Sequence, residues 1–215
     1  MPYFIESRYN HREFVGGNSP ELWYAIGKRQ FHFLISQGLK PTCKFMDIAC
    51  GSFRLGQFLI PYLNEGNYVG IEAENNLIEL GKKNEIFFDI IELKKPKFII
   101  NSNFNFLEVR SIDFAMAQSL FTHLDSRDIE KCFSQLAKIE LRQKFFFSFF
   151  LLGNPNNPPR INLTENPSES HPLKNFYQEL SFYEDIAKKY NFKFYYIGDW
   201  GHERNQKIAY VEQVT

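Results

Sequence analysis

At 215 residues, with 25 lysines and arginines against 25 aspartates and glutamates, the chain can bury one substantial core and carries no positive excess for gripping a phosphate backbone. No apolar run reaches the ~20 residues of a membrane span, and the N-terminus shows no basic-then-apolar signal pattern. Three scattered cysteines, Cys43, Cys50 and Cys132, form neither a CxxC pair nor a zinc spacing. The expectation is a reduced, cytoplasmic protein with no nucleic-acid partner and no membrane span, and with phenylalanine (24 residues) filling core places that leucine often takes.

In chain order, Ser19-Pro20-Glu21 opens a helix: Ser as N-cap, Pro at the first helical position, then an acid near the positive end. Leu22, Ile26, Phe33 and a closing Gly38 give it about 17 residues. The stretch Phe45 to Gly56 reads as a buried strand running into a small-residue turn and then a helix. Arg54 to Leu63 reads as a helix, with Leu55, Phe58, Leu59 and Tyr62 on one face. Tyr68 to Ile71 is the second strand. A second helix begins at Leu77–Leu80 and is broadened by Ile86-Phe87-Phe88 and Ile90-Ile91. Phe98-Ile99-Ile100 is the third strand and Ile112 to Ser119 the fourth. Asp125 to Leu141 reads as helical, and Phe145 to Leu152 as the fifth strand. Ser181-Phe182-Tyr183-Glu184 reads as a capping box opening a helix to about Tyr190. Phe192 to Ile197 and Gln206 to Val211 close the chain as strands.

Apolar strands alternating with helices predict a parallel sheet covered on both faces, and right-handed crossovers make it doubly wound. The last two strands are joined by a connection too short for a crossover, so they pair antiparallel. The fold class is therefore α/β: a doubly wound, Rossmann-like, seven-stranded, mostly parallel sheet with a C-terminal antiparallel hairpin. The whole reads as a single domain, with residues 1–40 as an N-terminal lid or helical segment and 41–215 as the core. Residues 153–175, rich in Pro, Asn and Ser, leave the carboxyl edge of the sheet. They read as part of a substrate pocket or lid, or else as a solvated insertion.

The chemistry concentrates after the first strand. Asp47-Ile48-Ala49-Cys50-Gly51 is a turn with little side chain, which lets backbone N–H groups approach a ligand. About twenty residues later the second strand ends on Glu72, placed to accept hydrogen bonds from both hydroxyls of a ribose. A carboxylate at Asp47 is unhelpful beside a pyrophosphate and tolerable beside a cationic ligand.

On these residues, and on the segment Ile112 to Leu124, the chain resembles class I S-adenosylmethionine-dependent methyltransferases from roughly Pro41 to the C-terminus. The family's first motif is matched by Asp47, Ala49, Cys50 and Gly51, and its second acidic position by Glu72. One departure is Phe53, which stands where the usual turn has a further glycine, glycine returning only at Gly56. The resemblance implies S-adenosylmethionine as cofactor, with the turn against its methionine portion. It implies Asn103 and Phe104 beside the adenine, and Gln118 and Ser119 beside the sulfonium. His123 is then the general base or a substrate hydrogen-bond donor, though a partly buried His helping to start the next helix is an equal reading. Tyr9, Arg12 and Trp23 belong to a segment that closes over the cofactor in such proteins, or they simply pack. His11, His171 and His202 border the same edge and, with Tyr9 and Arg12, are the expected substrate-pocket residues, or else each histidine is simply solvated, while His32 is structural.

Asp125 beside His123 suggests an N-cap more than a metal ligand, and no metal is expected. The expected reaction is methylation of a sugar or small-molecule hydroxyl, with a small molecule or glycan as acceptor; a lipid intermediate and a small metabolite amine stay open, because the resemblance does not fix the acceptor. A non-catalytic interaction protein on the same fold is the alternative. A nicotinamide-dependent oxidoreductase is the weaker one, because the chain lacks GxGxxG. The sequence sets no oligomeric state.

Overall fold

The computed structural model describes residues 11–17, 19–153 and 175–214. Tyr9, His171 and nearly all of the 153–175 segment lie outside the described residues. The chain falls into two compact units, Met1–Ser102 and Asn103–Thr215.

The first unit begins with a short helix α1 (His11–Phe14) and the long α2 (Pro20–Ser36). Ser19 caps α2: its backbone is extended and its Oγ accepts from Leu22 N at 3.1 Å. The face carrying Trp23, Ile26, Gly27 and Leu34 is buried. Gly27 is required by close approach, since a Cβ there would lie 2.3 Å from the Arg54 carbonyl oxygen. Strand β1 (Phe45–Ile48) and strand β2 (Tyr68–Glu72) are buried throughout and pair in parallel, Phe45 opposite Tyr68 and Ile48 opposite Ile71. Strand β3 (Lys97–Ile100) pairs in parallel with β2 on its other side.

The helices between these strands differ from the expectation. Helix α3 (Gly56–Tyr62) starts two residues later than Arg54, because the chain is still turning through Phe53, which has φ 72°. The broad second helix is two: α4 (Asn75–Asn84) and α5 (Phe88–Lys94), separated by extended backbone at Phe87. Lys95, left-handed at φ 45°, ends α5 just before Pro96.

The second unit holds strand β4 (Ser111–Ala117), helix α6 (Ser126–Leu136), strand β5 (Glu140–Leu151), a two-residue strand β6 (Tyr177–Gln178), helix α7 (Leu180–Lys189), and strands β7 (Phe192–Asp199) and β8 (Lys207–Gln213). β4 and β5 are parallel; β8 pairs antiparallel with both β5 and β7. The expected hairpin is thus present.

Two expectations fail here. Helix α6 stops at Leu136, and Leu141 belongs to β5, where its N–H donates to Gln213 Oε1 at 2.9 Å. The capping box is absent, since α7 begins at Leu180 and Ser181 lies inside it, donating to Glu179 Oε2 at 3.3 Å. Asp125 does cap α6, accepting from Arg127 N and Asp128 N at 3.0 Å each.

The core of this unit is aromatic. Phe133, Phe145, Phe147 and Tyr183 are fully buried, with ring centroids 5.9 Å apart for Phe133–Phe145 and 5.1 Å for Phe147–Tyr183. No helix of the described residues is long and apolar enough to cross a membrane.

Candidate cofactor site

In the first unit, β1 runs into a tight turn built from left-handed residues: Ala49 at φ 59°, Gly51 at 55° and Phe53 at 72°. Cys50 N continues the strand pairing by donating to Ile71 O at 3.0 Å. Gly51 N then donates to Glu72 Oε2 at 2.8 Å. The other oxygen of Glu72 accepts from Ala73 N at 2.8 Å and Glu74 N at 3.2 Å. A single buried carboxylate therefore ties the β1 turn to the tip of β2. A carboxylate can accept about four hydrogen bonds, and three places are filled by backbone. Burial pushes the Glu72 carboxyl above its usual range, against the opposing pull of the Gly51, Glu74 and Ala73 N–H groups.

Phe53 shows how the turn survives the missing glycine. Its ring is fully buried and stacked on Phe98 with centroids 4.8 Å apart. Gly81 and Gly56 make room for it: a Cβ at Gly81 would lie 2.6 Å from the Phe53 ring, and one at Gly56 3.0 Å from the Phe53 Cβ. A left-handed L-residue costs roughly 1–2 kcal/mol, and this packing holds it there.

Asp47 is 4% exposed and accepts from Tyr68 Oη at 2.8 Å. Burial pushes its pKa up to about 7; the Tyr68 hydrogen bond opposes this, the Glu72 charge adds to it and Arg54 opposes it. Ser52 is fully buried, and its Oγ has no hydrogen-bond partner among the described residues. Two carboxylates, a buried hydroxyl lacking a partner and a left-handed glycine thus meet at one strand end.

The N-terminal segment lies on this turn. A Cβ at Gly51 would be 3.1 Å from Val15 Cγ1, and Arg54 Nη1 donates to Val15 O at 3.0 Å. The segment is also held at Glu85. That carboxylate, its side chain 1% exposed, accepts from Arg12 Nε at 2.7 Å and Arg12 Nη2 at 2.9 Å, contacts His11 Nε2 at 2.7 Å and accepts from Trp23 Nε1 at 3.2 Å. His11 and Arg12, expected in a substrate pocket, are engaged by Glu85.

Glu85, Tyr68 and Ser52 escaped sequence reasoning. Nothing in a single sequence separates Glu85, the residue after α4, from the chain's other acids. Tyr68 could have been found, because it lies directly opposite Phe45, two places before the residue facing Asp47.

In the second unit, Asn103 is exposed and its Oδ1 accepts from Asn105 N at 3.2 Å, an Asx turn; Phe104 is left-handed at φ 60°. Gln118 and Ser119 follow β4 directly. Ser119 is left-handed at φ 59°, its N–H donating to Ser148 Oγ at 2.7 Å. His202 joins them: its Nε2 lies 3.0 Å from Gln118 Nε2, and it is 4% exposed. Ser148 and Gln206, both buried, complete a polar group that the sequence did not reveal as one. His123 is half-buried in the turn before α6, its N–H donating to Leu120 O at 2.9 Å.

No family model matches the chain. Solved structures do. A magnesium protoporphyrin IX methyltransferase from Synechocystis PCC 6803, with bound SAM, aligns over 94% of this chain and 89% of its own at 13% identity, TM-score 0.64. An S-adenosylmethionine-dependent methyltransferase from Clostridium acetobutylicum ATCC 824 aligns over 95% and 96% at 12% identity, TM-score 0.66. The chain has the class I S-adenosylmethionine-dependent methyltransferase fold. The methyltransferase domain of bacterial CtHen1 aligns as well, over 87% of this chain and 98% of its own at 15% identity, TM-score 0.62. The fold is thus α/β, doubly wound and mostly parallel, with the antiparallel strands at its C-terminal end.

Proposed function

We propose that the protein is an S-adenosylmethionine-dependent methyltransferase acting on a hydroxyl of a sugar or other small molecule. The observation that carries this reading is the first unit's turn, where Gly51, Glu72, Asp47 and the orphaned Ser52 hydroxyl converge. The donor set suits the cofactor. Its methionine portion brings an ammonium, which a carboxylate such as Asp47 favours, and a carboxylate that Ser52 Oγ and backbone N–H groups can meet. Ala49 and Cys50 contribute backbone to the same turn. Glu72 has one lone-pair direction left for a ribose hydroxyl. A solved structure with this fold carries SAM, and a second carries SAH.

When bound, the cofactor supplies a sulfonium-borne methyl group that is intrinsically electrophilic. The chain then contributes alignment and exclusion of water more than acid–base chemistry. Residues 1–40 are proposed as a lid or helical segment before a core from residue 41 onward, a reading supported by Val15 lying against the turn. Asn103 and Phe104 are proposed for the adenine, and Gln118 and Ser119 for the reacting end. His123 is proposed to take the proton of the acceptor hydroxyl.

Calorimetric titration with S-adenosylhomocysteine tests the reading, with Glu72→Ala and a nicotinamide dinucleotide control. Micromolar binding by the wild type, weakened at least about tenfold in the variant (about 1.4 kcal/mol), is expected. A folded wild type that binds neither compound favours the non-catalytic interaction protein. Binding of the dinucleotide alone favours the oxidoreductase.

A further inference from the structure

Helix α5 of the first unit buries none of its residues. At 3.6 residues per turn its positions still divide into two faces. Ile90, Ile91 and Lys94, each half-buried, turn toward the protein, while Phe88, Asp89, Glu92 and Leu93 are exposed. The apolar side chains of the outer face are large. Phe88 is 73% exposed, Leu93 63%, and Phe87, just before the helix, 85%. Among the described residues no large apolar side chain is more exposed than these two rings. The helix itself gives no reason for them. Phe87 stands at the N-cap of α5 with extended backbone and makes no side-chain capping hydrogen bond, so the position forgoes the stability that Ser, Thr, Asn or Asp would supply there. Adjacent exposed rings of this kind mark a surface that another molecule covers.

The charges around the rings select that molecule. Four positions before Phe87 stands Lys83, near the end of α4, and four after Phe88 stands Glu92; both are exposed. Asp89 adds a second exposed acid on the α5 side. The neighbouring Lys82 and Lys95 are engaged by Glu79 at 2.9 Å and Glu65 at 2.7 Å. The apolar pair is thus basic on one side and acidic on the other. An anionic lipid surface is poorly served, because two acids stand among the exposed apolar side chains against Lys83. A second copy of the chain is well served. An isologous contact sets one residue against a second and that second against the first. A two-fold axis through the Phe87–Phe88 pair lays rings on rings, and brings Lys83 of each copy to the side of the other copy's Glu92.

We propose that Phe87, Phe88 and the outer face of α5 form a self-association surface, on which a second copy of this chain docks about a two-fold axis. The two rings and Leu93 offer roughly 400 Å² of apolar surface per copy. The pair then buries about 800 Å², at the low, reversible end of specific interfaces. The dimer is therefore one that forms and parts with concentration. The inference goes beyond the methyltransferase reading and does not depend on it.

Sedimentation velocity of the whole chain, over about a hundredfold range of concentration, tests this by mass action. Monomer should give way to dimer as concentration rises. Phe87→Ser combined with Phe88→Ser should weaken association about a hundredfold or more, as loss of central anchors does, while the urea midpoint of the monomer stays unchanged because both rings are exposed. Lys83→Glu and Glu92→Lys should each weaken it about tenfold, since each turns both symmetry-related attractions into repulsions. The two exchanged together should return it to within about threefold of wild type. That rescue separates a two-fold contact from general stickiness of the rings. A wild type that stays monomeric overturns the proposal, and one that instead binds phosphatidylserine vesicles through the rings assigns the surface to lipid. A dimer that survives the double phenylalanine variant also overturns it, as does a charge exchange that restores nothing.

Discussion

Ser52 separates two roles that a buried hydroxyl can have. Left without a partner, it costs the folded chain roughly 1–3 kcal/mol. If it serves the cofactor, that cost is returned on binding. Ser52→Ala should therefore raise the urea midpoint of the protein alone by roughly 1 kcal/mol of stability, and weaken S-adenosylhomocysteine about tenfold. A stabilised variant with unchanged affinity would remove Ser52 from the site. At this scale the sequence was partly legible. Asp47, Gly51 and Glu72 announce themselves by spacing, and the structure gathers them at one strand end. What spacing could not show is that Glu72 already accepts three backbone N–H groups. A side chain's partners are set by backbone directions that only the folded turn defines. The same is true of Phe53, whose tolerance depends on Gly81, twenty-eight positions on by the numbering.

Among the elements, those with a clear cap and an apolar face were read within a residue or two, as α2 shows. Errors fell where a local signal lost to tertiary pairing. Leu141 continues a helical pattern, but its N–H is taken by Gln213 and the residue joins β5. The anchor of the N-terminal segment was not legible, because Glu85 lies over seventy residues away. Burial pushes the Glu85 carboxyl up, yet hydrogen bonds from Arg12 and His11 outweigh this and hold it below its usual range. Glu85→Ala removes the acceptor shared by Arg12, His11 and Trp23, at a cost of about 3 kcal/mol for a pair this enclosed. Trypsin should cut after Arg12 about ten or more times faster in the variant, and saturating S-adenosylhomocysteine should slow the cut in the wild type. Equal rates would mean that Glu85 does not hold the segment. In the second unit, Tyr183 Oη is buried without a hydrogen-bond partner among the described residues. Tyr183→Phe should leave the aromatic packing intact and stabilise by roughly 1 kcal/mol in urea unfolding; a loss of stability would reveal a partner for the hydroxyl.

For the molecule as a whole, the buried acids of the first unit set how stability depends on pH. Asp47 titrates near 7 when folded, because burial disfavours its charge, against 3.8 as its ordinary value. The folded chain therefore binds more protons at this site than the unfolded chain between those values. Its contribution to stability is full below the unfolded value and is lost as pH rises through 7. Glu72 shifts in the same direction, whereas Glu85 shifts in the opposite one, so the raw pH profile mixes signs. Asp47→Asn isolates the first term, since the amide oxygen can still accept from Tyr68 and no longer titrates. Between about pH 5 and about pH 8, wild type should lose about 3 kcal/mol of urea stability relative to the variant, from 1.36 kcal/mol per pH unit below the folded value. A cationic amine beside Asp47 favours the carboxylate, so saturating S-adenosylhomocysteine should shrink that loss, and affinity should rise with pH up to about 7. Parallel pH profiles for the two proteins would mean that Asp47 is ionised throughout. The affinity would then owe its pH dependence, if any, to the other carboxylates at the turn.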